Sequence, residues 1–431
     1  MGSAETASQI WTAGECDAFR LQATIALPAR TGVAIGYSNS SGRAHGSICP
    51  GRRCPAVSFS CQATVQQATN TTLIANGEYR PNPANRAVTM AAVLSGSWRK
   101  PSPRLHIPDD QLIPCVPLLI RSGLGAVTWW RIRQCAGRSD RFSYRRLRAV
   151  YRRYALEALA HEMETVRLFR RMRAWNVEPI LFKGWAAARA YPEPGLRPCG
   201  DVDLWVAPGQ QARAEAALAM REGSPYPADL HHDVFARFNE SNFEQIYSRS
   251  RSVSVQGTEI RIPGPEDHLR ILSLHMLKHG ISRPFWLLDI ATALESRPKS
   301  FNWDLCLGEN KRHRQWILCA IALASRLLGA NTSGTPAAEV TRRLSNRFCT
   351  RVLKRWEAGF QSIPPKFVEE IRSKGWTWET LKAIRQRWPN PIQATVDERG
   401  SLDAISALPY QLQDCIRRGA KLIRSLTAPS L

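Results

Sequence analysis

The segment from Ile180 to Val206 constrains this chain more than any other. A short apolar run, Ile180-Leu181-Phe182, ends at Lys183-Gly184, and a second apolar run opens with Asp201-Val202-Asp203. Side chains alternate faces along a strand, so Asp201 and Asp203 share one face while Val202, Leu204 and Val206 share the other. A buried apolar face backed by two carboxylates at a strand start suits a hard divalent cation such as Mg²⁺. A strand that ends in glycine lets backbone N–H groups approach a phosphate. The spacing therefore predicts a small sheet that presents acids to a metal-bound phosphate.

Nucleotidyl or phosphoryl transfer needs carboxylates to hold metal ions and a cationic or amide surface for the β- and γ-phosphates. Asp201 and Asp203 supply the first pair. Asp229 lies in a third strand-like run, 228–235, and is the expected third carboxylate; Asp233 shares its parity and is a rival. Lys183, Arg197 and the amides near Gly184 are the expected phosphate contacts. His231 lies two residues beyond Asp229, on the same strand face.

The chain has 431 residues, of which 44% are hydrophobic and 22% charged, and it carries a formal net charge of +23. That composition suits a globular protein with a sizeable core. The positive charge suits polyanionic ligands, nucleotides and nucleic acids included, and also fits an arginine-rich coding bias. The cysteines follow no zinc-ribbon or disulfide spacing: Cys49, Cys54 and Cys61 have four and six residues between them, and the others stand alone. An odd cysteine count without a basic-then-apolar N-terminal start points to reduced thiols and a cytoplasmic protein. The longest apolar run, Ile113 to Ile120, is too short to span a bilayer, so no membrane partner is expected.

Residues 1–87 are rich in Ser, Thr, Ala, Asn and Gly, without helical periodicity, and read as a low-complexity, disordered segment. A helical arm is expected over 88–176, with a long helix near 142–175 whose apolar positions recur near the 3.6-residue period and whose remaining face is crowded with arginine. The α/β core is expected over 177–264 and a helical region over 265–431. The fold class is thus α+β: a small mixed sheet flanked by helices.

At these residues the chain resembles a known group. Lys183-Gly184, Tyr191-Pro192, Gly195-Leu196-Arg197-Pro198, Gly200-Asp201-Val202-Asp203-Leu204 and Val206 resemble the signature of the uncharacterised bacterial nucleotidyltransferase family, within the DNA polymerase beta-like nucleotidyltransferase superfamily. Asp229-Leu230-His231 resembles its next block, which favours Asp229 over Asp233. Pro265 to Leu269, His275, His279 and Trp286-Leu287-Leu288-Asp289-Ile290 resemble its helical continuation. The resemblance implies two bound Mg²⁺ ions, with Mn²⁺ as substitute, a nucleoside triphosphate, and an acceptor of unknown identity: small molecule, protein or RNA. The sequence departs from the wider superfamily after the first strand. Gly184 is followed by Trp185 rather than by a serine or a second glycine, which shifts phosphate binding toward Lys183 and Arg197.

His275 and His279 are four apart on one helix face. They read as packing beneath the site or as substrate contacts more readily than as a metal pair, because Met276 stands where a zinc-protease helix needs glutamate. Asp289 could pair with Arg283 or face the cleft. Trp129-Trp130 and the arginines after them fit an amphipathic helix with buried tryptophans better than a single-strand nucleic-acid surface. Two other functions fit parts of the pattern: a catalytically silent module binding nucleic acid or nucleotide, and a glycosyltransferase holding a nucleotide sugar through Asp-x-Asp.

Overall fold

The computed structural model describes residues 86–135, 142–220, 226–231, 243–358, 378, 388–402 and 406–427. The expectations for residues 1–85, and for Asp233, fall outside them.

Helices come first. α1 (Arg86–Leu94) and α2 (Gly125–Ile132) are short, with short helical turns through 109–121 between them. In α2 both Trp129 and Trp130 are buried, as the amphipathic reading expects. The long helix α3 (Arg145–Ala174) follows. Its arginine-rich first half is largely exposed, whereas Thr165, Val166, Leu168, Phe169 and Met172 bury its second half. It ends where Asn176 takes a left-handed conformation (φ 54°) and the Val177 N–H returns to the Met172 carbonyl at 2.9 Å.

The chain then builds the sheet. β1 (Ile180–Leu181) leads into the short helix α4 (Gly184–Ala188). A loop returns the chain to β2 (Val202–Trp205), and α5 (Gln211–Ala219) connects this strand to β3 (Ala228–His231). The strand order is β1-β2-β3, with β1 antiparallel and β3 parallel to β2. The register sets Asp203 beside Asp229 and Trp205 beside His231. After α6 (Phe243–Arg249), β4 (Arg251–Val255) and β5 (Thr258–Ile262) form an antiparallel hairpin whose second strand lies against β1.

Alternation along the strands separates two cores. Leu181, Val202, Leu204 and Val206 pack with Val166, Phe169 and Met172 of α3 and with Ile260 and Ile262 of β5. Ile180, Phe182 and Trp205, on the opposite face, join a larger helical core running from Ala87 to Leu402. That core includes α7 (Pro265–Lys278), α8 (Pro284–Glu295), α9 (Trp303–Leu307) and α10 (Lys311–Leu328). Proline at the first position starts α7 and α8, and Glu266 and Asp267 add favourable charge to the first turn of α7. Gly308 separates α9 from α10, because it adopts φ 68° and Asn310 caps the next helix. Of the run 228–235, the described strand covers 228–231.

The fold is therefore α+β, with the sheet pressed between α3 and the C-terminal helices. Among the described residues no helix is long and apolar enough to cross a membrane.

Candidate active site

The acidic ends of β2 and β3 open into a cleft of about 710 Å³, within the usual range for small-molecule sites. Phe182, Lys183, Asp201, Asp203, Asp229 and His231 form its sheet wall. The facing wall comes from α7, α8 and the turn between them: His275, Lys278, His279, Arg283 and Trp286.

Asp203 is the centre of the sheet wall. It is buried, and its Oδ1 receives both the Lys183 ammonium (Nζ at 2.9 Å) and the His231 ring (Nε2 at 2.8 Å). Phe182 packs beneath both donors, with its ring 4.6 Å from the Lys183 Nζ and 4.9 Å from the His231 ring centre in an edge-on arrangement. Burial alone would raise the Asp203 carboxyl, but the His231 hydrogen bond and the Lys183 charge outweigh it and hold the group down at about 2. Asp203 is therefore ionised at any physiological pH. Both donors use Oδ1, which leaves Oδ2 for a ligand.

Asp229 is exposed beside Asp203. Ligand atoms of Asp203, Asp229 and His231 all lie within 4.8 Å of one another. Two carboxylate oxygens and an imidazole nitrogen at that spacing fit one small divalent ion, and they are the residues that would hold it. Asp201 lines the same cleft but falls outside this group of three. Desolvation in the cleft and the negative charges of Asp203 and Asp229 push its carboxyl above the usual range. The hydrogen bond of His231 runs across the strands to Asp203, although the parallel register places His231 two pairs beyond Asp203–Asp229.

Lys183 reaches Asp203 from an unusual backbone. Its φ of 56° and ψ of −130° lie where a residue with a side chain is strained by about 1–3 kcal/mol. The turn converts the end of β1 into α4 and aims Lys183 across the cleft wall. Gly184 also lines the cleft, and Trp185, which takes the place of the small residue in the wider superfamily, is buried in the α3-side core.

Arg197 lines the cleft and is committed to a carboxylate behind it. Its guanidinium grips Asp289 of α8 with two parallel bonds, Nε to Oδ1 at 2.9 Å and Nη2 to Oδ2 at 3.0 Å, and both side chains are buried. The Tyr191 hydroxyl donates to the same carboxylate at 2.6 Å. Burial would lower the Arg197 guanidinium, but the Asp289 charge overrides this and holds it above its ordinary value. Burial and then Asp289 push Tyr191 well above the usual phenol. Asp289 thus pairs with Arg197, not with Arg283, and the pair ties the 191–198 loop to α8. Gly195 brings that loop against α3: at φ 80°, a Cβ there would lie 2.6 Å from the Ala155 nitrogen.

His275 and His279 face the cleft with ring centres 4.5 Å apart, and Trp286 packs edge-on against His275. Burial, then the Lys183 and His279 charges, depress His275 well below the usual imidazole, so it is neutral. Neither histidine belongs to the Asp203 metal-capable group.

Three positions at or behind the cleft were not singled out as site residues from the sequence. His161, buried in α3, sits 2.8 Å from the Asp201 backbone carbonyl through Nε2 and near Thr165 Oγ1 through Nδ1, so Nε2 carries the proton and donates. Lys278 and Arg283 supply positive charge on the facing wall. A histidine on the apolar face of α3 was the one available hint.

Residues 116–226 and 220–329 match the sequence model of the uncharacterised nucleotidyltransferase family. These residues belong to that family. The matched segments contain β1 to β3, the cleft and the Arg197–Asp289 pair. No curated protein and no solved structure matches the chain.

Proposed function

We propose that the cleft moves a nucleoside monophosphate from a nucleoside triphosphate to a hydroxyl acceptor. The observation that carries this reading is the Asp203–Asp229 pair on adjacent parallel strands, with His231 completing a divalent-ion donor set inside a nucleotide-sized cleft. Asp203, Asp229 and His231 would hold Mg²⁺, or Mn²⁺ in its place, with Asp201 as the further carboxylate for a second ion. The metal would supply charge neutralisation at the triphosphate and a template for in-line displacement.

The protein's own groups do the rest. Lys183 stands beside Asp203, and Lys278 and Arg283 face it across the cleft, so the phosphates enter between two cationic walls. Arg197, saturated by Asp289, positions the loop that carries Asp201 rather than touching phosphate. Trp286, His275 and His279 offer an aromatic surface to the nucleoside or acceptor. The exposed Asp229 carboxylate can take the proton of the acceptor hydroxyl as its oxygen bonds to the α-phosphorus and pyrophosphate leaves.

The test is pyrophosphate release from each of the four NTPs with Mg²⁺ or Mn²⁺, in the presence of cell extract, followed by mass spectrometry of labelled acceptors. The double variant Asp203→Asn/Asp229→Asn should lose turnover. Equal turnover in that variant contradicts the proposal.

A further inference from the structure

Lys183 and the divalent ion compete for one carboxylate. Its ammonium sits 2.9 Å from Asp203 Oδ1, and its side chain is 13% exposed. The strained turn at Lys183 and the Phe182 ring beneath the ammonium hold it there. A bare divalent ion entering between Asp203 and Asp229 would meet this fixed positive charge at short range, in a cleft where screening is weak. Displacing the lysine would leave an ammonium without an anion in a partly desolvated wall. An ion that arrives already bound to a triphosphate removes that difficulty. The phosphates bring the anion that Lys183 loses, and its flexible four-carbon stem with three donors can follow them.

We propose that Lys183 is a resident counter-ion of Asp203 that excludes free divalent metal, so that the site accepts metal and nucleotide as one complex and hands Lys183 over to the phosphates on binding. This rests on the nucleotidyl-transfer reading and names its substrate as the metal–NTP complex, with Lys183 as an exchanging group rather than a fixed phosphate ligand.

The test uses the full-length protein and Mn²⁺, read by the loss of the free-ion electron paramagnetic resonance signal. Mn²⁺ is titrated alone and then with the α,β-methylene analogues of ATP, GTP, CTP and UTP. Wild type should bind bare Mn²⁺ at least tenfold more weakly than Mn²⁺ with the preferred analogue. Lys183→Met should bind bare Mn²⁺ about tenfold more tightly than wild type and the Mn²⁺–analogue complex about tenfold more weakly. Lys183→Gly, whose backbone suits the positive φ, should behave in the same way and guards against a folding defect in the methionine variant. Opposite shifts of the two affinities are the signature of exchange, since a purely structural lysine would weaken both. Bare-Mn²⁺ affinity that is unchanged or weaker in both variants overturns the proposal. Absence of Mn²⁺ binding in wild type with every analogue, or binding that survives Asp203→Asn/Asp229→Asn, overturns the nucleotidyl-transfer reading along with it.

Discussion

Two buried carboxylates do different work: Asp203 lines the cleft, whereas Asp289 lies behind Arg197, which lines it. Asp289 is saturated: Arg197 takes both of its oxygens and Tyr191 adds a third bond. Nothing further can bind there, and the cluster locks a loop to a helix. Asp203 is crowded on one oxygen only, with Lys183 and His231 both on Oδ1, and Asp229 stands next to it. A carboxylate satisfied on all sides is a fastener, whereas one held from a single side keeps a coordination position. Arg197 and Lys183 look alike in sequence, as cations flanking an Asp-x-Asp; what separates them is how completely their partners are used.

Reciprocal substitutions break this contrast most sharply. Asp203→Asn should lower NTP turnover on the order of 10³-fold, equivalent to about 4 kcal/mol of transition-state stabilisation. Asp289→Ala should cost roughly 3–5 kcal/mol of folding stability in urea denaturation, because it strands a buried guanidinium. Arg197→Met combined with Asp289→Leu should recover much of that loss, since a buried pair replaced as a unit is tolerated far better than one broken in half.

A pH measurement sharpens the Asp203 side of the comparison. Its carboxyl is held at about 2 in the folded protein, below its ordinary 3.8. A depressed folded value contributes stability above the unfolded value, and that contribution is lost as pH falls through the folded one. The ion pair should thus add on the order of 2 kcal/mol to the metal-free protein at pH 6, and this should fade between about pH 4 and pH 2. Asp203→Asn should flatten that part of the stability curve, as read by denaturation at each pH.

The smallest effect should come from His161→Phe. It removes the hydrogen bond to the Asp201 carbonyl while keeping the buried ring volume. We expect a stability loss of about 1 kcal/mol and a several-fold drop in turnover, from looser placement of Asp201.

Much of the frame was legible in the residues because it is local. Proline and glycine punctuate α7 and α8, and strand alternation alone places Asp201 and Asp203 on one face. The Asp203–Asp229 pairing needed only the two short strands to be recognised as neighbours. The role of Arg197 was not legible, because its partner lies 92 residues away on another helix and no local pattern encodes that contact. The contact of Lys183 with Asp203 was not legible either, because the positive φ that turns the ammonium onto that carboxylate is a tertiary property of a residue type that disfavours it. His161 and Arg283 reach the site through packing of α3 and α8 around the sheet, so only the assembled fold brings them there.

The most direct measurement is anomalous X-ray scattering from crystals grown with Mn²⁺ and the non-hydrolysable analogue of the preferred NTP. The expected result is a manganese peak bridged by Asp203 and Asp229, with the triphosphate between Lys183 and the Lys278–Arg283 wall. Manganese bound elsewhere, with Lys183 still on Asp203 and the nucleotide outside the cleft, would contradict the assignment.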